Sequence, residues 1–249
     1  MSNPQRTLAV DVGNTRLKIC IFSGTTIEEA ADFPSDEQVP EAIVAFLDRV
    51  GRPDRCILSS VFPGLTDGVA DTITRHSGVV VVRARDLVRS LIPLRVQEPE
   101  QVGTDRIVNC IAASRLYGTP SIVISLGTAT TFEIISRDGA YLGGCIVPGV
   151  GVSKDALAQR AALLRPYRWR KTTQLVGKNT LEHLEIGLYQ GTKCMVEGMI
   201  AEYRREIGSD TVTVGTGGYA QLLAEDGVFD VYDAHLSLRG LLLAAETVS

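Results

Sequence analysis

Short apolar runs separated by turn residues open the chain. Residues 8–12, 17–22 and 26–33 are rich in β-forming side chains, and residues 13–15 and Gly24 interrupt them. Runs of this length joined by tight turns are typical of neighbouring antiparallel strands. The pattern therefore predicts a three-stranded meander.

Longer apolar periods follow the meander. Helical spacing covers residues 40–50 and 65–76, with strand-like runs at 56–61 and 79–82 between and after them. Strands that alternate with helices predict parallel pairing through crossover connections. A polar loop, 92–103, then leads to an apolar helix that opens at Asp105, where an aspartate is a good N-cap.

The opening pattern recurs after Gly118-Thr119-Pro120. Strands are predicted at 121–126, 131–136, 141–147 and 211–214, and helices at 152–164, 180–207 and from Leu236. Both halves start with an apolar strand that runs into a glycine and hydroxyl turn. Chance similarity of two α/β segments is the alternative, but the pattern favours a duplicated α/β fold with mixed sheets. We expect domains at 1–117 and 118–249, with a central cleft between them.

Composition narrows the class of protein. The 249 residues are 45% apolar with a net charge of -4, which argues against a nucleic-acid or membrane partner. No apolar run approaches the about 18 residues that span a bilayer. The five cysteines form no CxxC pair, so we expect neither a disulfide framework nor a zinc site, and a cytoplasmic location. The arginines Arg165, Arg168 and Arg170 are interpreted as a solvated loop, with an anion site as the alternative.

The first candidate site is the turn after the first strand. Asp11, Gly13, Asn14 and Thr15 are followed by Lys18. Glycine in such a turn lets backbone N–H groups approach a phosphate, and a lysine adds a positive charge. A carboxylate at the strand end can hold hydrated Mg²⁺ beside the phosphates. An ordinary hairpin with an Asx turn is the alternative.

Two further glycine turns complete a nucleotide pattern. Gly127 and Thr128 follow the strand 121–126, and Gly217 and Gly218 follow the strand 211–214. A strand, a glycine turn and a helix in succession allow a nucleotide to approach the backbone. Each turn alone is weak evidence, but three in this order within a duplicated fold are strong evidence for a site that binds a nucleotide triphosphate.

Specific motifs identify a family resemblance over nearly the whole chain. They are the turn at Asp11, the blocks 103–106, 127–132 and 143–149, the block 176–180, and the turn at Gly217. Together they resemble the type III pantothenate kinases, which have two ribonuclease-H-like domains of the actin-like ATPase type. The resemblance implies phosphorylation of pantothenate by ATP, the first step towards coenzyme A.

The resemblance also implies roles for individual residues. Asp105 matches the general base, and Gly103, Thr104, Arg106 and Thr180 match substrate-binding positions, with Arg106 at the substrate carboxylate. The residues matched to ATP and its phosphates lie in the three turns: Asp11, Gly13, Asn14, Thr15, Lys18, Gly127, Thr128, Gly217 and Gly218. The family works as a homodimer and uses Mg²⁺ and a monovalent cation, K⁺ or NH₄⁺.

One position departs from the family pattern. The second phosphate motif usually begins with an aspartate, and Ser125 stands there, opposite Asp11 in the internal repeat. A neutral hydroxyl is a weaker ligand for a hard cation, so we expect a weak response to K⁺. Glu133 on the returning strand is an alternative source of the missing charge. The alternative function is that of a degenerate relative with a regulatory role. A sugar kinase or phosphatase of the same superfold is disfavoured, because this chain lacks the motifs of those enzymes.

The helix predicted at 180–207 suggests how two copies associate. Its apolar residues exceed the needs of one buried face: Leu184, Ile186, Leu188, Met195, Val196 and Met199. We expect a homodimer that uses this helix, with a fully buried core helix as the alternative.

Overall fold

The computed structural model describes residues 4–160 and 167–247, which form two compact units. The first unit comprises the described residues up to Ala112 and those from His235 onward, and the second those from Ala113 to Ala234. Each unit contains one five-stranded mixed sheet. This confirms the predicted α/β class.

The first sheet begins with the predicted meander. Its strands are β1 (Arg6–Val12), β2 (Arg16–Ser23), β3 (Thr26–Pro34), β4 (Arg55–Ser60) and β5 (Val81–Arg83). β1 pairs antiparallel with β2 and parallel with β4, which gives the order β3-β2-β1-β4-β5. β1 is therefore central, and the turn with Gly13 follows its carboxyl end.

Four helices follow the meander strands within residues 39–117. They are α1 (Val39–Val50), α2 (Pro63–Ser77), α3 (Ala84–Arg89) and α4 (Thr104–Tyr117). Ile43, Phe46 and Ile73 of α1 and α2 are buried against the sheet face that carries Leu8 and Val10. Because side chains alternate along a strand, Asp11 lies on the opposite face.

The second sheet has the same topology. Its strands are β6 (Ser121–Leu126), β7 (Ala129–Ile135), β8 (Tyr141–Pro148), β9 (Val212–Thr216) and β10 (Val231–Tyr232). Read from β8, the order β8-β7-β6-β9-β10 repeats that of the first sheet strand for strand. The parallel and antiparallel pairs also correspond. The duplication expected from the sequence is present.

Helices of the second unit are α5 (Val150–Arg160), α6 (Thr180–Ile207) and α7 (Gln221–Ala224). α6 buries Tyr189, Val196 and Ile200 against the sheet face that carries Ile122 and Phe132. The last residues of the helix predicted at 152–164 lie outside the described residues. Arg165 also lies outside them.

The closing helix α8 (Leu236–Ala245) packs against β1 and β4 of the first sheet. Gly240 also lets α8 approach α4 closely, because a Cβ atom there would collide with the backbone carbonyl of Val108. The sequence places residues 118–249 in one domain, whereas the structure groups the residues from His235 onward with the first unit. The apolar face of α8, with Leu238 and Leu241 buried, explains the difference.

Candidate functional site

Hydrogen bonds hold the turn after β1, which the sequence predicts to bind phosphate. The N–H of Gly13 donates to the carbonyl of Arg16 over 3.0 Å. Ser35, just after β3, donates through its hydroxyl to the carbonyl of Gly13 and through its N–H to the carbonyl of Thr15, over 2.8 and 2.9 Å. Asn14 and Thr15 are left exposed at the tip. Hydrogen bonds therefore fix the backbone of the turn, and the two polar side chains are open to solvent.

Asp11 lies just below this turn in a row of polar side chains. It pairs with Lys18 of β2 on one side and with Ser59 of β4 on the other. Burial raises the pKa of Asp11, while the charge of Lys18 and the hydroxyls of Ser237 and Ser59 act to lower it. Its Oδ1 atom makes no hydrogen bond with the described residues. A buried carboxylate oxygen with free acceptor capacity fits the predicted cation-holding role.

The substrate motif forms the first turn of α4. The carbonyl of Gly103 accepts hydrogen bonds from the N–H groups of Arg106 and Ile107, over 3.1 and 3.2 Å. α4 begins at Thr104, so Asp105 lies inside the first turn and the N-cap interpretation of Asp105 is wrong. Its carboxylate folds back over Gly103, where a Cβ atom would collide with Oδ1. Glycine at this position thus leaves space for the carboxylate.

Arg89 at the end of α3 anchors the loop that leads to this motif. Its guanidinium donates to the backbone carbonyls of Pro99, Glu100 and Val102, the last two over 3.2 and 2.9 Å. Sequence reasoning missed both Arg89 and α3. The six residues of α3 are too few for an apolar period to stand out, and no motif includes Arg89.

A cleft of about 480 Å³ lies in the first unit beside Gly103 and Thr104. Its size suits a small organic acid, since ligand pockets typically measure about 300–1,000 Å³. Its charged lining residues are Asp67, Arg83, Arg85, Arg89 and Glu100. Among its described side chains, three arginines face two carboxylates, and this balance favours an anionic ligand.

The glycine turn after β6 resembles the first one but is one residue shorter. The N–H of Gly127 donates to the carbonyl of Ala129 over 3.0 Å, whereas Gly13 donates to the carbonyl of Arg16. Thr128 is exposed, and its carbonyl accepts from the N–H of Gly149 over 3.1 Å. The turn is therefore held from β8 as well as from its own hairpin.

The glycine turn after β9 packs against the same strand end. Gly217 has a φ of 93°, and a Cβ atom there would lie 2.6 Å from the carbonyl oxygen of Leu126. That oxygen also accepts a hydrogen bond from the N–H of Tyr219 over 3.0 Å. The structure thus places the glycine turn after β9 against Leu126, the last residue of β6, which directly precedes Gly127.

Ser125 occupies the position that Asp11 holds in the first sheet. Its neighbours across the strands are Thr131 and Thr216, where Asp11 has Lys18 and Ser59. The row in the second unit therefore consists of hydroxyl groups alone.

Glu133, the alternative source of charge, is fully buried and accepts a hydrogen bond from the hydroxyl of Tyr141 over 2.6 Å. Glu133 pairs with Val123, two residues back along β6 from Ser125. This places the carboxylate further from the strand end than Ser125, where the phosphate turn begins.

The block 176–180 forms the cap of α6. The side chain of Asn179 accepts from the N–H of Glu182 over 3.0 Å, and the carboxylate of Glu182 accepts from the N–H of Lys178 over 2.6 Å. Gly177 is required by close packing, since a Cβ atom there would crowd His183. Thr180 is the first residue of the helix and is exposed. The motif is a rigid turn that presents Thr180 outward.

Known proteins are similar to this chain along most of its length. The sequence model of type III pantothenate kinases matches residues 7–202. The chain belongs to the type III pantothenate kinase family. Curated members from Moorella thermoacetica and Desulforapulum autotrophicum are 37% and 35% identical to it. These alignments cover 96% of the chain, and 98% and 96% of the two relatives.

Solved structures support the fold. The activator of 2-hydroxyisocaproyl-CoA dehydratase from Clostridium difficile, with bound ADPNP, superposes with a TM-score of 0.55 at 12% identity, covering 97% of the chain and 95% of that protein. The archaeal actin homologue Ta0583 gives a TM-score of 0.51 at 10% identity, over 97% and 99%. The fold is that of the actin-like ATPases, as the family resemblance implies.

The described residues offer little support for a membrane span, a metal cluster of protein side chains or an anion site at Arg170. None of their helices is both long and apolar enough to cross a membrane. No group of three or more His, Cys, Asp and Glu residues among them is arranged to hold a metal ion. Arg170 pairs with the buried carboxylate of Glu185, which favours a structural role over an anion site. A cation at Asp11 would consequently need hydroxyls, water or a bound nucleotide to complete its ligands.

Proposed function

We propose that this protein transfers the terminal phosphoryl group of ATP to the primary hydroxyl of pantothenate, the first step of coenzyme A biosynthesis. The observation that carries the proposal is family membership over nearly the full length of the chain. The positively charged cleft beside Gly103 suits a substrate that carries a carboxylate. The regulatory alternative gains no support from the relatives, which bear the name of the kinase.

In this proposal Asp105 orients the attacking hydroxyl and accepts its proton. The hydroxyl oxygen forms a bond to the γ-phosphorus as the bond to the bridging oxygen of ADP breaks, and ADP leaves. Such a transfer depends mostly on positioning and charge stabilisation. Gly103 and Thr104 hold the substrate near Asp105, and Arg106 makes a two-pronged contact with its carboxylate, which lysine could not. Thr180 adds a further substrate contact.

Each unit carries a hairpin turn with donors that suit a phosphate group. Backbone and side-chain donors come from Gly13, Asn14, Thr15 and Lys18 in the first unit, and from Gly127 and Thr128 in the second. Gly217 and Gly218 bind the adenosine. Asp11 would hold Mg²⁺ through water, and the ion would neutralise charge on the phosphates. Ser125 would hold K⁺ or NH₄⁺ only weakly, because the hydroxyl row there carries no charge.

A homodimer formed through α6 completes the proposal. Gly187, Gly191 and Gly198 lie on the exposed side of this helix, and a Cβ atom at each would meet no other described residue within 4 Å. Glycine inside a helix is destabilising by about 0.5–1 kcal/mol relative to alanine. Glycines that serve no contact within the chain are explained by the close approach of a second copy. Five free cysteines fit a reducing cytoplasm.

The residues named for the dimer at the sequence level lie elsewhere on α6. Ile186 and Val196 are buried, and Met195 and Met199 pack against the core of the second unit. These four residues therefore serve the core of the second unit, although α6 as a whole is not fully buried. The proposed dimer therefore depends on the exposed side of α6 that carries Gly187, Gly191 and Gly198.

Replacing Asp105 by asparagine tests the proposed function. Loss of the base should lower kcat for pantothenate-dependent ADP release about 10²–10⁴-fold while the thermal midpoint stays near that of the wild type. Glu41→Gln, which removes an exposed carboxylate from the first turn of α1, is the matched control and should keep full turnover. Near-normal turnover of Asp105→Asn would show that the assignment is wrong.

A further inference from the structure

Three buried oxygen atoms without hydrogen-bond partners meet at the carboxyl end of β1. They are Oδ1 of Asp11 and the hydroxyl oxygens of Ser59 and Ser237. The three residues are 9%, 1% and 6% exposed. No hydrogen bond of normal geometry joins these atoms to the described part of the chain, but both serine hydroxyls lie near enough to the Asp11 carboxylate to act on it as weak donors.

The fold brings these residues together from distant parts of the sequence. Ser59 is the direct neighbour of Asp11 in the parallel pairing of β1 and β4. Ser237 lies in the first turn of α8, which packs on these two strands. Both hydroxyls are close enough to Asp11 to lower its pKa.

Unpartnered buried polar atoms are rare because each loses its hydrogen bonds to water without replacement. Aliphatic side chains could fill the same space without that loss. A group of three such atoms around one carboxylate therefore calls for a ligand that the chain itself does not supply. The carboxylate disfavours an anion, and the hydroxyls provide neutral oxygens of the type that hydrated divalent cations accept.

The second unit offers an internal comparison. The residues equivalent to Asp11 and Ser59 are Ser125 and Thr216. Hydroxyl groups are thus present in both sheets, but the carboxylate occurs in the first alone. This asymmetry assigns the divalent cation to the first unit.

We propose that Ser59 and Ser237 are binding residues that, together with Asp11, hold the hydrated divalent cation of the nucleotide complex. The proposal rests on the proposed function, in that the cation arrives with ATP or ADP. Each hydroxyl can accept a hydrogen bond from a cation-bound water and donate one to the carboxylate. The two serines would thereby fix the orientation of Asp11 towards the cation.

Alanine variants with two readouts that need no turnover test this proposal. Binding of Mn²⁺ to the ADP complex, followed by electron paramagnetic resonance, should weaken about tenfold or more in Ser59→Ala and in Ser237→Ala. In the absence of ligands their thermal midpoints should equal or exceed that of the wild type, because an unpartnered hydroxyl has been removed. The midpoint increase caused by Mg²⁺ and ADP should shrink.

Ser121→Ala is the matched control, since the hydroxyl of Ser121 is also buried and unpartnered but lies in the second unit. It should leave Mn²⁺ binding unchanged. Wild-type affinity for Mn²⁺ in both serine variants would overturn the proposal and indicate ordered water at these hydroxyls. A lower midpoint without ligands, with unchanged Mn²⁺ binding, would overturn it in favour of a structural role. Pantothenate is absent throughout, so failure of the proposed reaction is measured separately.

Discussion

Space for one carboxylate is the main constraint at Gly103. Its backbone is outside the left-handed region, so the need for glycine arises from the neighbouring Asp105 side chain and not from strain. Any larger residue must displace the carboxylate or the loop. The position of the Asp105 carboxylate therefore depends on the lack of a side chain at Gly103.

We expect Gly103→Ala to lower kcat about 10²-fold, because misplacement of a reacting group by about 1 Å can have an effect of that size. Stability should fall by about 1 kcal/mol or less, as expected for alanine at a helix N-terminus. Turnover and thermal midpoints measure the two effects. Gly64→Ala, where a Cβ atom makes only ordinary contacts in the first turn of α2, should change neither. Unaltered kcat in Gly103→Ala would mean that the carboxylate has other productive positions.

Ser125 is the position from which we expect a weak response to monovalent cations. Its row of hydroxyls with Thr131 and Thr216 lacks the charge that Asp11 supplies in the first sheet. At 4 Å and an effective dielectric constant near 20, a unit charge pair is worth roughly 4 kcal/mol before desolvation. Part of that interaction is missing for a cation beside Ser125.

We expect a weak response of the wild type to K⁺, and activation together with higher turnover in Ser125→Asp. KCl is titrated against tetramethylammonium chloride at constant ionic strength. Ser125→Asn, which adds a neutral amide of the same size, should not restore activation. Strong saturable activation of the wild type at low millimolar K⁺ would contradict the argument and return attention to Glu133.

Residues are recognisable from the sequence where a motif isolates them. Asp11, Gly103 and Asp105 stand in such motifs and were predicted. Ser59 and Ser237 were not, because each is an ordinary serine until the packing of β4 and α8 places it beside Asp11.

At the scale of elements, α3 is short but anchors the loop that leads to Gly103. Arg89 is its last residue and reaches three carbonyl groups of the loop before Gly103. Arg85, one turn earlier, lines the same cleft. The helix therefore both anchors the loop and contributes charge to the cleft.

Arg89→Met should raise KM for pantothenate about tenfold or more and leave KM for ATP nearly unchanged, because the loop loses three hydrogen bonds. Arg89→Lys should recover only part of the effect, since an ammonium group cannot reproduce the planar fork. Initial rates with each substrate varied give both constants. Arg83 lines the same cleft and pairs with Asp67. An equal rise in the KM for pantothenate in Arg83→Met would show that the net charge of the cleft matters and not the anchoring of the loop.

Long or strongly patterned elements were predicted with accurate bounds. β6 and α6 match their predicted ranges, because turn or capping residues mark their ends. α3, α7 and β10 were missed, with six, four and two residues respectively. Elements of this length carry no full apolar period, and their conformation is set by tertiary contacts.

At the scale of the whole molecule, the exposed glycines of α6 predict the oligomeric state. Light scattering should give about twice the chain mass of 26.8 kDa for the wild type. Gly191→Arg should give the mass of one chain, because its side chain occupies the contact face. Arginine is a better helix former than glycine, so a weakened helix cannot explain such a loss. Gly68→Arg, at an exposed glycine of α2 with equally free surroundings, should remain dimeric. A monomeric wild type at micromolar concentration would refute the dimer.

The attachment of α8 to the first sheet has a consequence for synthesis of the chain on the ribosome. The second unit is continuous in sequence and can fold once Ala234 has emerged, whereas the first unit must wait for α8. Domains generally fold as units during translation. Until the last segment arrives, the face of β1 and β4 that α8 covers stays exposed, and Ser237 cannot reach Asp11. The nascent protein would thus be an incomplete enzyme with an open apolar surface, and a chain interrupted before Leu236 would present that surface to chaperones and proteases.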